Sequence, residues 1–76
     1  MNLQLIIPNH AKQRMIQRHF NTEDISHVLN NFNISVPADK PDRVRYAGTL
    51  PDGRTLNVVL TPDLQEPGPY TVVTVY

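Results

Sequence analysis

VRYAGTLPDGRTLNVVLT, residues 44–61, is the stretch that decides the fold of this chain. Two β-type runs flank Leu50-Pro51-Asp52-Gly53. In that tetrad Pro presets φ, Asp favours a turn and Gly accepts positive φ. The stretch therefore predicts a β-hairpin, with strands over Val44 to Thr49 and Thr55 to Thr61. Alternation puts Val44, Tyr46 and Gly48 on one side of the first strand and Arg45 and Ala47 on the other.

Downstream of the hairpin, Pro62 to Pro69 reads as a Pro-rich loop, and Tyr70 to Tyr76, Y-T-V-V-T-V-Y, as a last strand. On that strand Val73 and Val75 are expected on the covered face, with Tyr70, Val72, Thr74 and Tyr76 on the other. A face of Tyr and Val in so small a domain suits pairing with a second copy of the chain.

Upstream, Leu3 to Ile7 reads as a short strand ended by Pro8 and Asn9. Asn9 is expected to cap a helix from about His10 to His19, with Ala11, Met15 and Ile16 on its apolar side. Thr22 is expected to cap a second helix, whose dipole Glu23 and Asp24 suit. Ile25, Val28, Leu29 and Phe32 form its apolar face at i, i+3, i+4 and i+7. Ile34 to Val36 either pairs briefly or only leads into the sheet. The expected fold is one α+β domain over residues 1–76, in the order β-α-α-β-β-β, with a helical hairpin packed on a small antiparallel sheet.

The 76 residues bury only about 60% of their unfolded surface on folding, so stability is modest. Cysteine is absent, which excludes disulfides and thiolate metal sites. No signal peptide and no run of about 20 apolar residues is seen, so the expected setting is the cytoplasm, away from membranes. Formal net charge is zero, unlike most dedicated nucleic-acid binders. The charge is unevenly spread. The first acidic residue is Glu23, and His10, Lys12, Arg14, Arg18 and His19 precede it. A mixed cluster from Asp39 to Arg54 holds Lys40, Arg43 and Arg45.

His10, Arg14 and Arg18 recur every fourth residue, so on a helix they line one face. Imidazole moves protons near neutral pH, and guanidinium grips phosphate bidentately. Metal-free RNA cleavage needs little more: a base for the 2′-OH, an acid for the leaving 5′-oxygen, and cations for the phosphorane. Each residue also has a plainer reading. His10 can be a surface residue, Arg14 can pair with Asp42, and Arg18 suits the helix C-terminal dipole. His19 reads as a buried-edge or capping residue and His27 as solvent-facing. The histidines lack metal-site spacing, so no metal or other cofactor is expected.

The stretch H-A-K-Q-R-M-I-Q-R-H-F-N-T-E-D-I, residues 10–25, resembles the opening signature of the domain of unknown function numbered 4258. Residues 44–59 and the terminal Y-T-V-V-T-V-Y resemble its later β segments. That family is similar in fold to the RelE/ParE toxins, several of which are metal-independent ribonucleases and others gyrase poisons. The resemblance implies catalytic roles for His10, Arg14, Arg45 and Tyr76, with Thr74 beside Tyr76 contacting RNA; by their own charge and chemistry Lys12 and Arg18 are expected to contact RNA and Tyr46 to stack on a base. It also implies RNA as substrate and an antitoxin or other protein as partner. An endoribonuclease of this kind requires His10, Arg14 and Arg45 to converge on one basic site. A non-catalytic interaction module, which the neutral charge favours, leaves them apart. A third reading is RNA binding without chemistry, sensitive to Arg14 and not to His10.

Overall fold

In the computed structural model, which describes residues 3–76, the elements run β1 (Leu5–Ile6), α1 (Asn9–Arg18), α2 (Thr22–Asn31), β2 (Ile34–Pro37), β3 (Val44–Thr49), β4 (Thr55–Thr61) and β5 (Tyr70–Val75). The domain reading for residues 1 and 2 lies outside the described residues. The hairpin strands β3 and β4 match the expected bounds, and Gly53 takes the positive φ, 94°, that its turn demands. Leu50 closes the turn from both sides, its N–H donating to the Arg54 carbonyl and its carbonyl accepting from the Gly53 N–H.

The sheet has five strands in the order β1-β5-β4-β3-β2. It is mixed rather than antiparallel, because β1 runs parallel to β5. The ambiguous stretch after α2 does pair: β2 lies antiparallel to β3, with Ile34 opposite Ala47 and Val36 opposite Arg45. Ala38 N–H bonds back to the Arg43 carbonyl. By antiparallel alternation the nitrogen of Pro37 then faces the free edge, where its missing donor leaves no partner unsatisfied.

Both helices cover one face of the sheet. α1 lies over β5, and α2 over β3 and β4. The backbones of the two helices lie nearer the strands than each other, and their apolar side chains enter one shared core. One apolar cluster joins Ala11 and Met15 of α1, Ile25, Val28 and Leu29 of α2, and Tyr46, Leu56, Val58, Leu60, Val72 and Val75 of the sheet. Among the described residues no helix lies on the other sheet face. Among the described residues no helix is long and apolar enough to cross a membrane.

The local signals are displaced by single residues. Pro8, extended at ψ 162°, is the N-cap of α1, and Asn9 sits inside the first turn. Asn21, not Thr22, caps α2. Its side chain accepts the Asp24 N–H at 2.8 Å, while the Asp24 carboxylate accepts the Asn21 N–H at 3.0 Å. His19 ends α1 in the left-handed conformation, φ 61°. Ile16 is 74% exposed, so it does not extend the Ala11–Met15 stripe. It stands five residues from Ala11, about 140° around the helix at 100° per residue.

The last strand departs most from simple alternation. Val59 pairs with Thr74 but Leu60 pairs with Val72, so Val73 is an extra residue in a β-bulge. The bulge reverses the facing of the residues before it relative to the expected pattern. Tyr70, Val72 and Val75 are buried under the helices, while Val73, Thr74 and Tyr76 line the open face. Val75 and the outward Thr74 and Tyr76 agree with the expected pattern; Tyr70, Val72 and Val73 do not.

The hairpin turn also anchors the helix layer. The Arg54 guanidinium donates to the His19 carbonyl at 2.9 Å and approaches the Arg18 carbonyl at 3.5 Å. It lies 4.9 Å over the Phe20 ring and 3.9 Å from the Asp24 carboxylate. Asp52 holds it from behind at 2.7 Å. Arg54→Ala should lower the unfolding free energy by about 1–2 kcal/mol, the modest range suiting a half-exposed group. Arg54→Lys should recover only part of that loss in urea melts, since lysine lacks the planar fork.

Asp52 makes a second, pH-dependent prediction. The Arg54 backbone N–H, and then its guanidinium, hold the Asp52 carboxyl below the usual carboxylate range. Its stabilising contribution is therefore complete above the unfolded carboxylate pKa and lost as pH falls through the lower folded value. Urea melts of wild type and Asp52→Asn should differ at pH 6 and converge as pH falls into the acid range.

Candidate functional site

The open face of the sheet carries a concave pocket of about 380 Å³. Its floor is Val59 of β4 with Val73 and Thr74 from the bulge in β5. One wall is Pro37, Ala38, Asp39 and Arg43 from the turn between β2 and β3; Arg45 and Tyr76 complete the lining. That turn is pinned by Ala38 N–H to Arg43 C=O at 2.9 Å and Arg43 N–H to Lys40 C=O at 3.1 Å. Arg45 reaches this face because it alternates with Tyr46, which points into the core.

Asn57 sets the Arg45 side chain. Arg45 NH1 donates to the Asn57 side-chain oxygen at 2.6 Å. The Asn57 backbone exchanges both hydrogen bonds with Tyr76, at 2.9 and 3.0 Å, and its side-chain amide also donates to the Tyr76 carbonyl at 3.3 Å. Asn57 thus ties the Arg45 guanidinium to the Tyr76 backbone.

The sequence-derived site residues divide into two groups. Arg45, Thr74 and Tyr76 meet in this pocket. His10, Lys12, Arg14 and Arg18 are exposed on α1, which covers the opposite face. The expected convergence of His10 and Arg14 with Arg45 does not occur. The four-residue ladder is real as a helix face, but the helix sits on the far side of the sheet. Arg14 does not pair with Asp42, which instead lies 3.5 Å from the Thr61 hydroxyl. Among the described residues no three His, Asp or Glu side chains group closely enough to hold a metal ion.

Tyr46 belongs to neither group. It is 3% exposed, on the helix-covered side, with its ring 4.8 Å from Phe32 at a 59° tilt. Its hydroxyl accepts the Leu64 N–H at 2.9 Å, and the Tyr70 hydroxyl donates to the Glu66 carbonyl at 2.6 Å. The two tyrosines tie the 62–69 loop to the sheet, so the Tyr46 ring is not a surface on which a base stacks. Sequence reasoning did not single out Arg43 and Asp39 of the pocket lining, nor Asn57, which lies outside the lining and holds Arg45. Arg43 and Asp39 lay inside the mixed cluster noted at residues 39–54; Asn57 gave no signal of its own.

The family profile of the Domain of unknown function (DUF4258) matches residues 7–76. The chain belongs to that family. No curated protein and no solved structure matches it. The family match spans α1, the hairpin and β5, the segments whose resemblance was noted in the sequence, and so includes both the α1 ladder and every residue of the open-face pocket.

Burial raises the Tyr46 phenol pKa, the Leu64 hydrogen bond lowers it by less, and nearby Asp63 and Tyr70 add to the rise. A raised value means stability present below the ordinary tyrosine pKa of about 10 and lost as pH climbs through the folded one. Tyr46→Phe keeps the ring and removes the acceptor. It should cost about 1 kcal/mol at neutral pH, speed hydrogen exchange at the Leu64 amide, and leave exchange in α1 unchanged.

Proposed function

We propose that this protein is a small RelE-like, toxin-derived domain that engages single-stranded RNA on the uncovered face of its sheet. The observation that carries the reading is the pocket in which Arg45, Thr74 and Tyr76 meet beside Arg43. Guanidinium groups hold phosphate by paired hydrogen bonds, and an exposed tyrosine ring stacks on a base of any sequence. Tyr76 is 46% exposed and borders the cations, which is the arrangement that single-strand binding uses. Cleavage by 2′-OH attack at this place would draw on the Asp39 carboxylate and the Tyr76 hydroxyl for proton transfer, not on His10.

A second reading, a non-catalytic protein-interaction module, is favoured by a different observation. Ile6, Ile34 and Tyr76 are all exposed, and strand register puts them on this same face. An apolar sheet face with a polar centre suits a folded partner as well as a nucleic acid.

Induced expression with mapping of total RNA 5′-ends separates the readings. Growth arrest and new RNA ends should appear with wild type and His10→Ala and vanish with Arg45→Ala. In parallel, binding of a single-stranded RNA in low salt should weaken in Arg45→Ala and hold in Arg14→Ala. Loss of the RNA ends in His10→Ala with Arg45→Ala unaffected would return the chemistry to α1. No RNA binding together with a stable co-purifying protein would leave the interaction module standing.

A further inference from the structure

We propose that Asp52-Gly53 is a site of spontaneous isoaspartate formation, guarded in the folded chain by Arg54, and that isomerisation there releases the helices from the hairpin turn. The reaction needs a side-chain carboxyl next to an unhindered backbone nitrogen. The chain's three glycines follow Ala47, Asp52 and Pro67, so Asp52 alone among its Asp and Asn residues precedes a glycine. Glycine has no Cβ to screen its nitrogen. The place is also open to water. The Asp52 side chain is 53% exposed, and beyond the chain neighbours no atom stands within 4 Å of the space a Gly53 side chain would take. Exposed loop tips are also where a chain opens locally.

The chemistry balances with water as the only other reactant. The Gly53 nitrogen attacks the Asp52 side-chain carbon Cγ and loses its proton, and the carboxyl hydroxyl leaves as water, closing a cyclic imide. Water then opens the ring at either carbonyl. Breaking the new bond, between the nitrogen and Cγ, restores aspartate. Breaking the old bond, between the nitrogen and the Asp52 main-chain carbon, sends the chain through Cβ and Cγ and leaves the carboxylate on Cα.

The folded turn blocks the first step twice. The hydroxyl leaves only from a protonated carboxyl, and the Arg54 backbone N–H at 3.0 Å and Nε at 2.7 Å hold Asp52 ionised. The attacking nitrogen must give up its proton, and that N–H is bound to the Leu50 carbonyl at 2.9 Å. Arg54 thus shields the residue that aims it. The lengthened backbone of the isoaspartyl turn carries its carboxylate on a shorter arm, so the guanidinium loses its backing. Its bond to the His19 carbonyl and its approach to Asp24 are weakened with it. An unfolding event that is otherwise reversible then leaves a covalent record.

The test holds wild type, Arg54→Ala, Arg54→Lys and Tyr46→Phe in mildly acid buffer, folded and in denaturing urea. Isoaspartate is counted by enzymatic methylation of isoaspartyl carboxylates and placed by mass-spectrometric fragmentation. In urea it should form faster at Asp52 than at Asp24, Asp39, Asp42 or Asp63. Folded wild type should form it several-fold more slowly than the urea-unfolded chain. Folded Arg54→Ala should lose most of that protection and Arg54→Lys part of it, while Tyr46→Phe, altered away from the turn, should keep it. The isoaspartyl protein, separated from its parent, should melt at lower urea and exchange the amides of residues 19–21 faster. Formation at Asp52 no faster than at the other aspartates in urea would overturn the site. Equal rates in folded wild type and folded Arg54→Ala, or folded Arg54→Lys if only that variant folds, would overturn the guard. An isoaspartyl form with wild-type melting and exchange would overturn the release of the helices.

Discussion

The Arg54 side chain is the tie between the two layers of this protein. The apolar core holds α1 and α2 against the sheet, but apolar contact is non-directional and does not by itself fix how far a helix is turned or slid. Arg54 supplies direction. From the hairpin turn it bonds the carbonyls that end α1, reaches the carboxylate that caps α2, and covers the Phe20 ring between the helices. The corner at residues 19–21 is thereby set by a residue 35 positions further on from His19. Asp52 keeps that guanidinium aimed, so the turn that closes the hairpin also positions the helices.

The open face follows from this placement. With both helices on one side, the odd-numbered hairpin residues Arg45, Ala47, Asn57 and Val59 form a face on which no described helix lies, with Ala47 and Val59 shielded by neighbouring side chains. The pocket there is built from a turn, a bulge and a strand end, which are the irregular parts of the sheet. Regular alternation gives a flat face. The extra residue at Val73 and the rise of the 38–43 turn make it concave, and in doing so bring two arginines into one cavity.

Much of the fold was legible. The Pro-Asp-Gly turn and the flanking runs placed β3 and β4 at their observed bounds, and the i, i+3, i+4 pattern at Ile25, Val28 and Leu29 placed α2. The bulge was not legible, because Y-T-V-V-T-V-Y has apolar residues at both parities and no glycine marks the irregular position. The α1 ladder illustrates a different limit. Spacing shows that His10, Arg14 and Arg18 share a line on a helix, but not which sheet face that helix covers. Arg45 entered through the family resemblance, whereas Arg43 and Asn57 depend on turn geometry and strand register.

The parallel pairing of β1 with β5 has a consequence for synthesis. Leu5 is made 65 residues ahead of its partner Tyr70. α1 lies over β5, so its Ala11 and Met15 side chains have no finished surface to rest on until β5 is translated. The hairpin can assemble from local contacts as it emerges, while the N-terminal strand and helix wait for the C-terminal one. Order on the ribosome thus runs from the hairpin outward, and the emergence of β5 completes both the edge of the sheet and the seat of α1.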